Sequence, residues 1–307
     1  MAIVSTGLSV AGLRGDFFNR MAAIQTFWQE LSTRVPSTKD SETYKWLGTV
    51  PNMREWGTGR LAKGLRTESY SVENMKYEAT LEVDRDEIND DQTGQIRIRV
   101  GELAERAATH KEYLIEQLLN NGGASGYNSY DGVTFFNDTH ASGASGNQDN
   151  DLTFAAADGT SPTSTEFKGA VAQATAAMMA FKDDRGEAMR IRPSGLAVIV
   201  PPIYYTVAVE AMTAAMLGGT SNVIATLAGS PRVICLPGLS TTTMMYVLKT
   251  DSIVRPLIFQ DREPITFDSI VEGSEEAFKR EKFLYGVRAR YRMTYGYWKY
   301  AIRTTFS

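Results

Sequence analysis

The chain has 307 residues, 43% of them hydrophobic, which is enough for one large domain or two ordinary ones around a real core. A formal charge of −4 with no basic block argues against a protein that grips nucleic acid along its length. There is no apolar run long enough to span a membrane, and the opening "MAIVSTGLSVAGLRGDFF" lacks the basic start and sustained apolar stretch of a secretory signal.

In chain order, "DFFNRMAAIQTFWQELSTR" (16–34) carries Phe17, Met21, Ile24, Phe27, Trp28 and Leu31 at helical spacing, and Pro36 ends it. The stretch "WLGTVPNMREWGTGR" (46–60) packs two tryptophans, three glycines, a proline and two arginines into a segment that reads as neither helix nor plain strand. Met75, Tyr77, Ala79, Leu81 and Val83 then alternate as a strand with one dry face, and a tight hairpin turn is expected at Glu73-Asn74. From about 93 to 121 the period changes to that of a long helix, with Ile96, Val100, Leu103, Ala107, Leu114 and Leu118 on one stripe. Gly122-Gly123 is expected to cap it in the left-handed conformation.

Residues 121–165 are rich in Gly, Ser, Asn and Asp and read as loop or surface strand around an aromatic island, Phe135-Phe136. A helix with a Ser/Thr cap follows over "STEFKGAVAQATAAMMAFKDDRG", then a short buried strand "GLAVIVPP" and a helix "IYYTVAVEAMTAAMLGG" closed by glycines. "PRVICLPGL" and "TTTMMYVLKT" read as strands, as do "IVRPLIFQDREPITF" and "KFLYGVRARYRMTYGYWKYAIRT" near the end. The class is α+β: a helical arm, a hairpin, a long helix, an α/β module at 165–250 set into a mostly extended unit, and returning strands.

Chemistry-bearing residues are sparse. Two histidines and one cysteine, with no C-x-x-C or H-E-x-x-H, make a zinc site unexpected. Cys235, the single cysteine, excludes an intrachain disulfide and reads as a small buried hydrophobe; His110 lies close to the apolar stripe of the long helix. The acidic run "DRDEINDD" (84–91) puts Ile88 where a calcium loop needs an oxygen ligand, and reads as a solvated turn before the long helix. No phosphate-binding, dinucleotide or nucleophile-elbow motif occurs, so neither catalysis nor a cofactor is expected.

Five separated blocks nevertheless resemble one family. They are "WLGTVPNMREWGTGR" (Trp46, Gly48, Pro51, Arg54, Glu55, Trp56, Gly59, Arg60), "NMKYEATLEVDRDEINDDQTG" (Asn74, Glu78, Arg85, Asp90, Asp91, Gly94), "YDGVTFFNDTH" (Asp131, Gly132, Phe135, Phe136, His140), "RPLIFQDREP", and "FLYGVRARYRMTYGYWKYA" (Gly286, Arg290, Gly296, Trp298). Together they resemble the Mu-like phage major head subunit family over nearly the whole chain. Asn89, Ile96 and Met245 depart from the pattern, standing where an acid, an aromatic and a tryptophan are expected.

The resemblance implies the Hong Kong 97-type capsid fold: an N-terminal arm (1–45), an E-loop hairpin (46–84), a peripheral domain with its spine helix (85–164), an axial domain (165–250) and a return to the peripheral domain (251–307). It implies a major capsid protein that self-assembles, as hexamers and pentamers, into an icosahedral virion shell around double-stranded DNA without sequence-specific binding. Assembly in the host cytoplasm is expected, with no membrane and with separate scaffolding, portal and decoration proteins.

A projecting hairpin cannot build its own core, so its aromatic and arginine side chains are expected against a neighbour. Trp46, Arg54, Glu55, Trp56 and Arg60 are therefore assigned to subunit contacts, together with Phe17 and Trp28 of the arm. Lys63 is a candidate for a lysine–asparagine crosslink of the kind some shells of this fold carry. The stretch 217–230, with Gly218, Gly219, Asn222 and Gly229, is expected at the axial tip. Two other readings remain: an encapsulin-like nanocompartment, which shares the fold, and a Cys/His hydrolase, which requires Cys235 and His140 to meet.

Overall fold

The computed structural model describes residues 10–44, 70–84, 86–87, 94–226 and 230–307. Two sheets are joined by one long helix. The first sheet has four strands in the order β1 (Ser32–Pro36), β11 (Leu257–Ile270), β12 (Lys282–Tyr295), β4 (Met75–Asp84). The second has five, in the order β5 (Asp151–Phe154), β13 (Ala301–Phe306), β10 (Met244–Lys249), β6 (Leu196–Val200), β9 (Arg232–Cys235).

The long helix, α3 (Gln95–Asn121), runs 27 residues, about 40 Å at 1.5 Å per residue. Its N-terminal half puts Ile96, Val100, Leu103 and Ala104 into one core, shared with Leu13 and Phe17 of α1 (Val10–Ala23) and with Phe267, Phe283 and Tyr285 of the four-stranded sheet. Its C-terminal half puts Ile115 and Leu119 into a second core with Phe135, Phe136 and the five-stranded sheet. One helix thus ties two hydrophobic cores together. The glycine pair beyond it acts differently from expectation: Gly122 has a right-handed φ of −62°. Gly122 is required by a close approach, since a Cβ there would lie 2.6 Å from the Phe136 ring.

The arm helix expected over 16–34 is also corrected. It ends at Ala23, resumes for one turn as α2 (Trp28–Leu31), and Ser32–Pro36 instead pairs in parallel with β11, Ser32 opposite Leu257 and Pro36 opposite Asp261. The hairpin expected at Glu73-Asn74 is absent. β3 (Tyr70–Glu73) pairs antiparallel with β2 (Ser41–Tyr44), whereas β4, directly after it, pairs with β12. Asn74 is the residue at which the chain changes partner. It is buried and donates from Nδ2 to Ser37 Oγ (2.8 Å) and to the Lys39 carbonyl (2.9 Å), while its Oδ1 accepts from Gln260 Nε2 (2.8 Å).

Two helices cover the five-stranded sheet. α4 (Ser164–Ala180) begins with a full capping box between Thr163 and Glu166, and it ends at Ala180, before the glycine at 186. α5 (Tyr205–Thr213) follows a 3-10 turn at Pro202–Tyr204. The small pair β7 (Met216–Leu217) and β8 (Thr220–Ser221) then turns through Gly218 and Gly219, both at positive φ (57° and 79°), and leads to α6 (Val223–Thr226). A two-residue turn with both central residues left-handed favours this Gly-Gly pair. The run expected to return as one unit after 251 divides: β11, α7 (Glu275–Arg280) and β12 belong to the four-stranded sheet, but β13 inserts between β5 and β10 of the other. Among the described residues no helix is long and apolar enough to cross a membrane.

Candidate functional site

The segment assigned to subunit contacts, with Trp46, Arg54, Glu55, Trp56, Arg60 and Lys63, lies outside the described residues. Its two flanks are well held. Tyr44 and Tyr70 face each other across the β2–β3 pair, so the chain leaves and re-enters at one place. Tyr44 OH donates to Gln260 Oε1 (2.6 Å), and Tyr70 OH shares a hydrogen bond with Thr294 (2.6 Å). Both phenols are pushed up from their ordinary range, chiefly by burial. Arg290 adds an ion pair to Asp40 (2.7 Å), which holds that carboxyl below its usual range. The β2–β3 ribbon is therefore pinned to β11 and β12 by two phenol hydrogen bonds and one ion pair.

Phe17 and Trp28 are a correction. Their side chains are enclosed within the chain: Phe17 is fully buried against Phe18 and Phe267 (5.2 and 5.0 Å between ring centroids), and Trp28 packs on Phe259 (4.7 Å). Apolar spacing marked both as covered; it could not say whether the cover comes from the same chain. Lys111 completes this packing, with Nζ 4.0 Å from the Trp28 ring centroid and 4.5 Å from that of Phe259; burial lowers its pKa.

At the expected axial tip, Asn222 is likewise internal. It is fully buried and donates to the carbonyls of Ala211 (2.8 Å) and Ala214 (2.9 Å), tying the β7–β8 turn to the end of α5. Gly218 and Gly219 form the turn itself, Gly229 lies outside the described residues, and Met216 and Val223 are largely exposed on the same segment.

The block around His140 is a structural knot. His140 is fully buried, with Nδ1 bonded to Asp131 Oδ2 (2.5 Å) and Nε2 near the Phe135 carbonyl (3.2 Å). Its ring stacks on Trp298 at 4.0 Å and 9°. Asn150, which sequence reading did not single out, donates to the carbonyls of Phe135 (2.9 Å) and Ala301 (3.2 Å) and accepts from Asn137 N–H. No spacing rule finds such a residue, because its partners are far apart in sequence. Cys235 sits on the outermost strand of the five-stranded sheet, where burial and then the Glu116 carboxylate raise its thiol pKa. Both nitrogens of His140 are engaged elsewhere, so the Cys/His hydrolase reading has no geometric basis. Among the described residues no group of three or more His, Cys, Asp or Glu is placed to hold a metal ion.

A second polar contact seats the five-stranded sheet on α3. Glu116, buried on the helix, accepts from the Gly238 N–H (2.8 Å). Asn120, one turn further on, donates to the Gly238 carbonyl (3.0 Å) and accepts from the Ser240 N–H (3.1 Å). Glu112, one turn before, accepts from the Phe27 N–H at the α1–α2 corner. This stripe at four-residue intervals fixes both the arm and the β9–β10 loop to one helix.

The long helix, the β11–β12 hairpin beside it and the separate five-stranded module form an arrangement that solved structures share. The chain aligns with the procapsid protein of bacteriophage JBD30 at TM-score 0.56 and 23% identity, over 95% of this chain and 72% of that one. It aligns with the capsid of cyanophage P-SCSP1u at TM-score 0.58 and 10% identity, covering 92% and 88%. A virus-like particle from Pyrococcus furiosus gives TM-score 0.56 at 9% identity, covering 96% and 98%. At these identities the likeness shows the fold, the Hong Kong 97-type capsid fold.

The family is shown by sequence. The model of the Mu-like prophage major head subunit gpT matches residues 8–167 and 228–306, and the chain belongs to that family. It is 24% identical to the Mu-like prophage FluMu major head subunit of Haemophilus influenzae over 94% of this chain and 70% of that protein. It is 31% identical to the major capsid protein of Escherichia phage Mu over 41% of each. The chain is a major capsid protein, a structural subunit of the phage head shell.

Proposed function

We propose that this subunit assembles with copies of itself, as hexamers and pentamers, into a closed icosahedral shell that encloses double-stranded DNA, in the cytoplasm of the bacterial host. The family match over 8–167 and 228–306 carries this reading. The formal charge of −4 supports it, because an inner wall that does not bind DNA tightly leaves the genome free to be packed and released. The role is structural rather than catalytic. One solved relative in fold is a JBD30 capsid decorated with minor capsid protein trimers, which motivates a decoration protein for this shell, beside scaffold and portal.

The segment between Tyr44 and Tyr70 is proposed as the arm that lies on a neighbouring subunit, with Trp46, Arg54, Glu55, Trp56 and Arg60 in the contact and Lys63 available for crosslinking. Many modest contacts of this kind hold a shell while leaving each one correctable. Light scattering after size exclusion tests the proposal: the wild type should elute as megadalton particles, and the double variant Arg54→Glu/Arg60→Glu as capsomers or monomers. Particles of unchanged size in that variant would remove the arm from the contact. A monomer-sized wild type under all assembly conditions would remove the shell.

A further inference from the structure

A cavity of about 520 Å³ lies under the α1–α2 corner, bounded on α3 by Ala107, Ala108 and Lys111. A second, of about 320 Å³, reaches β11 at Phe259 and Asp261 and β12 at Tyr291. The two share Met21, Trp28, Gln29, Lys111 and Ile265, so Lys111 stands where they adjoin. Sites for small molecules have volumes of about 300–1,000 Å³ and combine apolar walls with a few convergent polar groups.

Lys111 gives this place its chemistry. Its Nζ lies 4.0, 4.5 and 5.7 Å from the ring centroids of Trp28, Phe259 and Tyr291. Ring faces attract a cation, but they leave the ammonium N–H donors without an acceptor atom. Among the described residues this Nζ has no hydrogen bond and no ion pair. Both carboxylates on the cavity walls are engaged by arginines: Glu30 accepts from Arg232 (2.8 and 2.9 Å) and Asp261 from Arg34 (2.9 Å). Three cations thus face two carboxylates, an excess of one positive charge in a chain whose net charge is −4. Burial is the first cause of the lowered Lys111 pKa; Asp261 opposes it and Arg34 adds to it.

We infer that this site binds a small aromatic monocarboxylate, with the carboxylate on Lys111 Nζ and the ring against Met21, Trp28 and Ile265. The uncompensated ammonium selects an anion, and the single excess charge suits one carboxylate better than a polyphosphate. The apolar share of the walls calls for a ring, not a sugar acid. The site is built within one subunit, so the inference goes beyond the shell reading and stands apart from it.

The test is isothermal titration calorimetry of the full, unassembled chain with 1-naphthoate, and with 1-naphthalenemethanol as a neutral ring of similar shape. One naphthoate should bind per chain, about tenfold or more tighter than the alcohol, through a charge-assisted hydrogen bond in a half-buried site. Lys111→Met keeps an unbranched stem against Trp28 and removes the charge, so it should bind the two compounds within about twofold of each other. A second measurement needs no variant. Acetic anhydride should acetylate Lys111 of the wild type at least about fivefold more slowly under saturating naphthoate, with the exposed Lys39 and Lys76 unaffected. Equal affinity for the two compounds in the wild type overturns the inference. So does an anion preference that survives in Lys111→Met, the absence of saturable binding below about 1 mM, or unchanged acetylation of Lys111.

Discussion

Gly238→Ala tests the seat between the spine helix and the five-stranded sheet. A Cβ at position 238 would lie 2.5 Å from the Glu116 carboxyl carbon and closer still to Oε2, inside van der Waals contact. The carboxylate must move, and with it goes the 2.8 Å bond from the Gly238 N–H, in a place where Glu116 is 7% exposed. Overpacking costs about 1–3 kcal/mol and a lost hydrogen bond to a charged group about 1.5–3 kcal/mol. The two overlap, since one displacement causes both, so a total near 3 kcal/mol is expected. Equilibrium urea unfolding of unassembled subunits would read it as a lower midpoint with an unchanged slope. The decisive control is Glu116→Ala. With the carboxylate removed, the added methyl has room, so the double variant should be less destabilised than the sum of the singles by at least about 1 kcal/mol. Simple additivity, or a Gly238→Ala variant as stable as the wild type, would refute the clasp.

Asn74→Ala should cost about 2–3 kcal/mol in the same assay, because it strands buried partners on Ser37 and Gln260 at the point where the chain changes sheets. His110 lies against Tyr77 and bonds Tyr291 OH at 2.7 Å, and burial lowers its pKa below the ordinary 6.5. The unfolded chain therefore takes up this proton first. Its contribution to stability is present above about pH 6.5 and is lost as pH falls through the lower folded value; His110→Gln should flatten that part of the stability–pH curve. Alkylation of Cys235 by iodoacetamide at pH 7.5 should be slower in the folded protein than in urea, since burial and then the Glu116 carboxylate raise its thiol pKa; equal rates would contradict the placement of that side chain.

The long helix was legible because its signal is local and strong: 27 residues on one 3.6-residue period, with Ile96, Val100 and Leu103 buried where the stripe placed them. Further along, Ile115 and Leu119 are the fully buried pair, while Leu114 and Leu118 are only partly covered, a drift of one residue as the helix passes from one core to the other. The arm misled for the opposite reason. Ser32–Pro36 continues an apolar helical rhythm, but its conformation is set by pairing with β11, more than two hundred residues away, and propensity yields to that. Asn74 misled in the same way, since a residue that favours turns serves here as a buried hydrogen-bonding post.

Function was legible through the separated family blocks, and the roles of single residues were not. Phe17, Trp28 and Asn222 looked like contact or tip residues and are internal. Burial is a sum over the whole chain, whereas spacing records only which side of one element is covered. The His140 block shows the reverse case: a residue that invites a catalytic reading is closed on Asp131, Phe135 and Trp298, and holds a loop to the core.

The most direct measurement is cryo-electron microscopy of the purified protein, expressed with its neighbouring head proteins. The account predicts closed shells in which the chain between Tyr44 and Tyr70 crosses onto a neighbouring subunit. A population of discrete monomers, or shells in which that segment folds back on its own subunit, would contradict it.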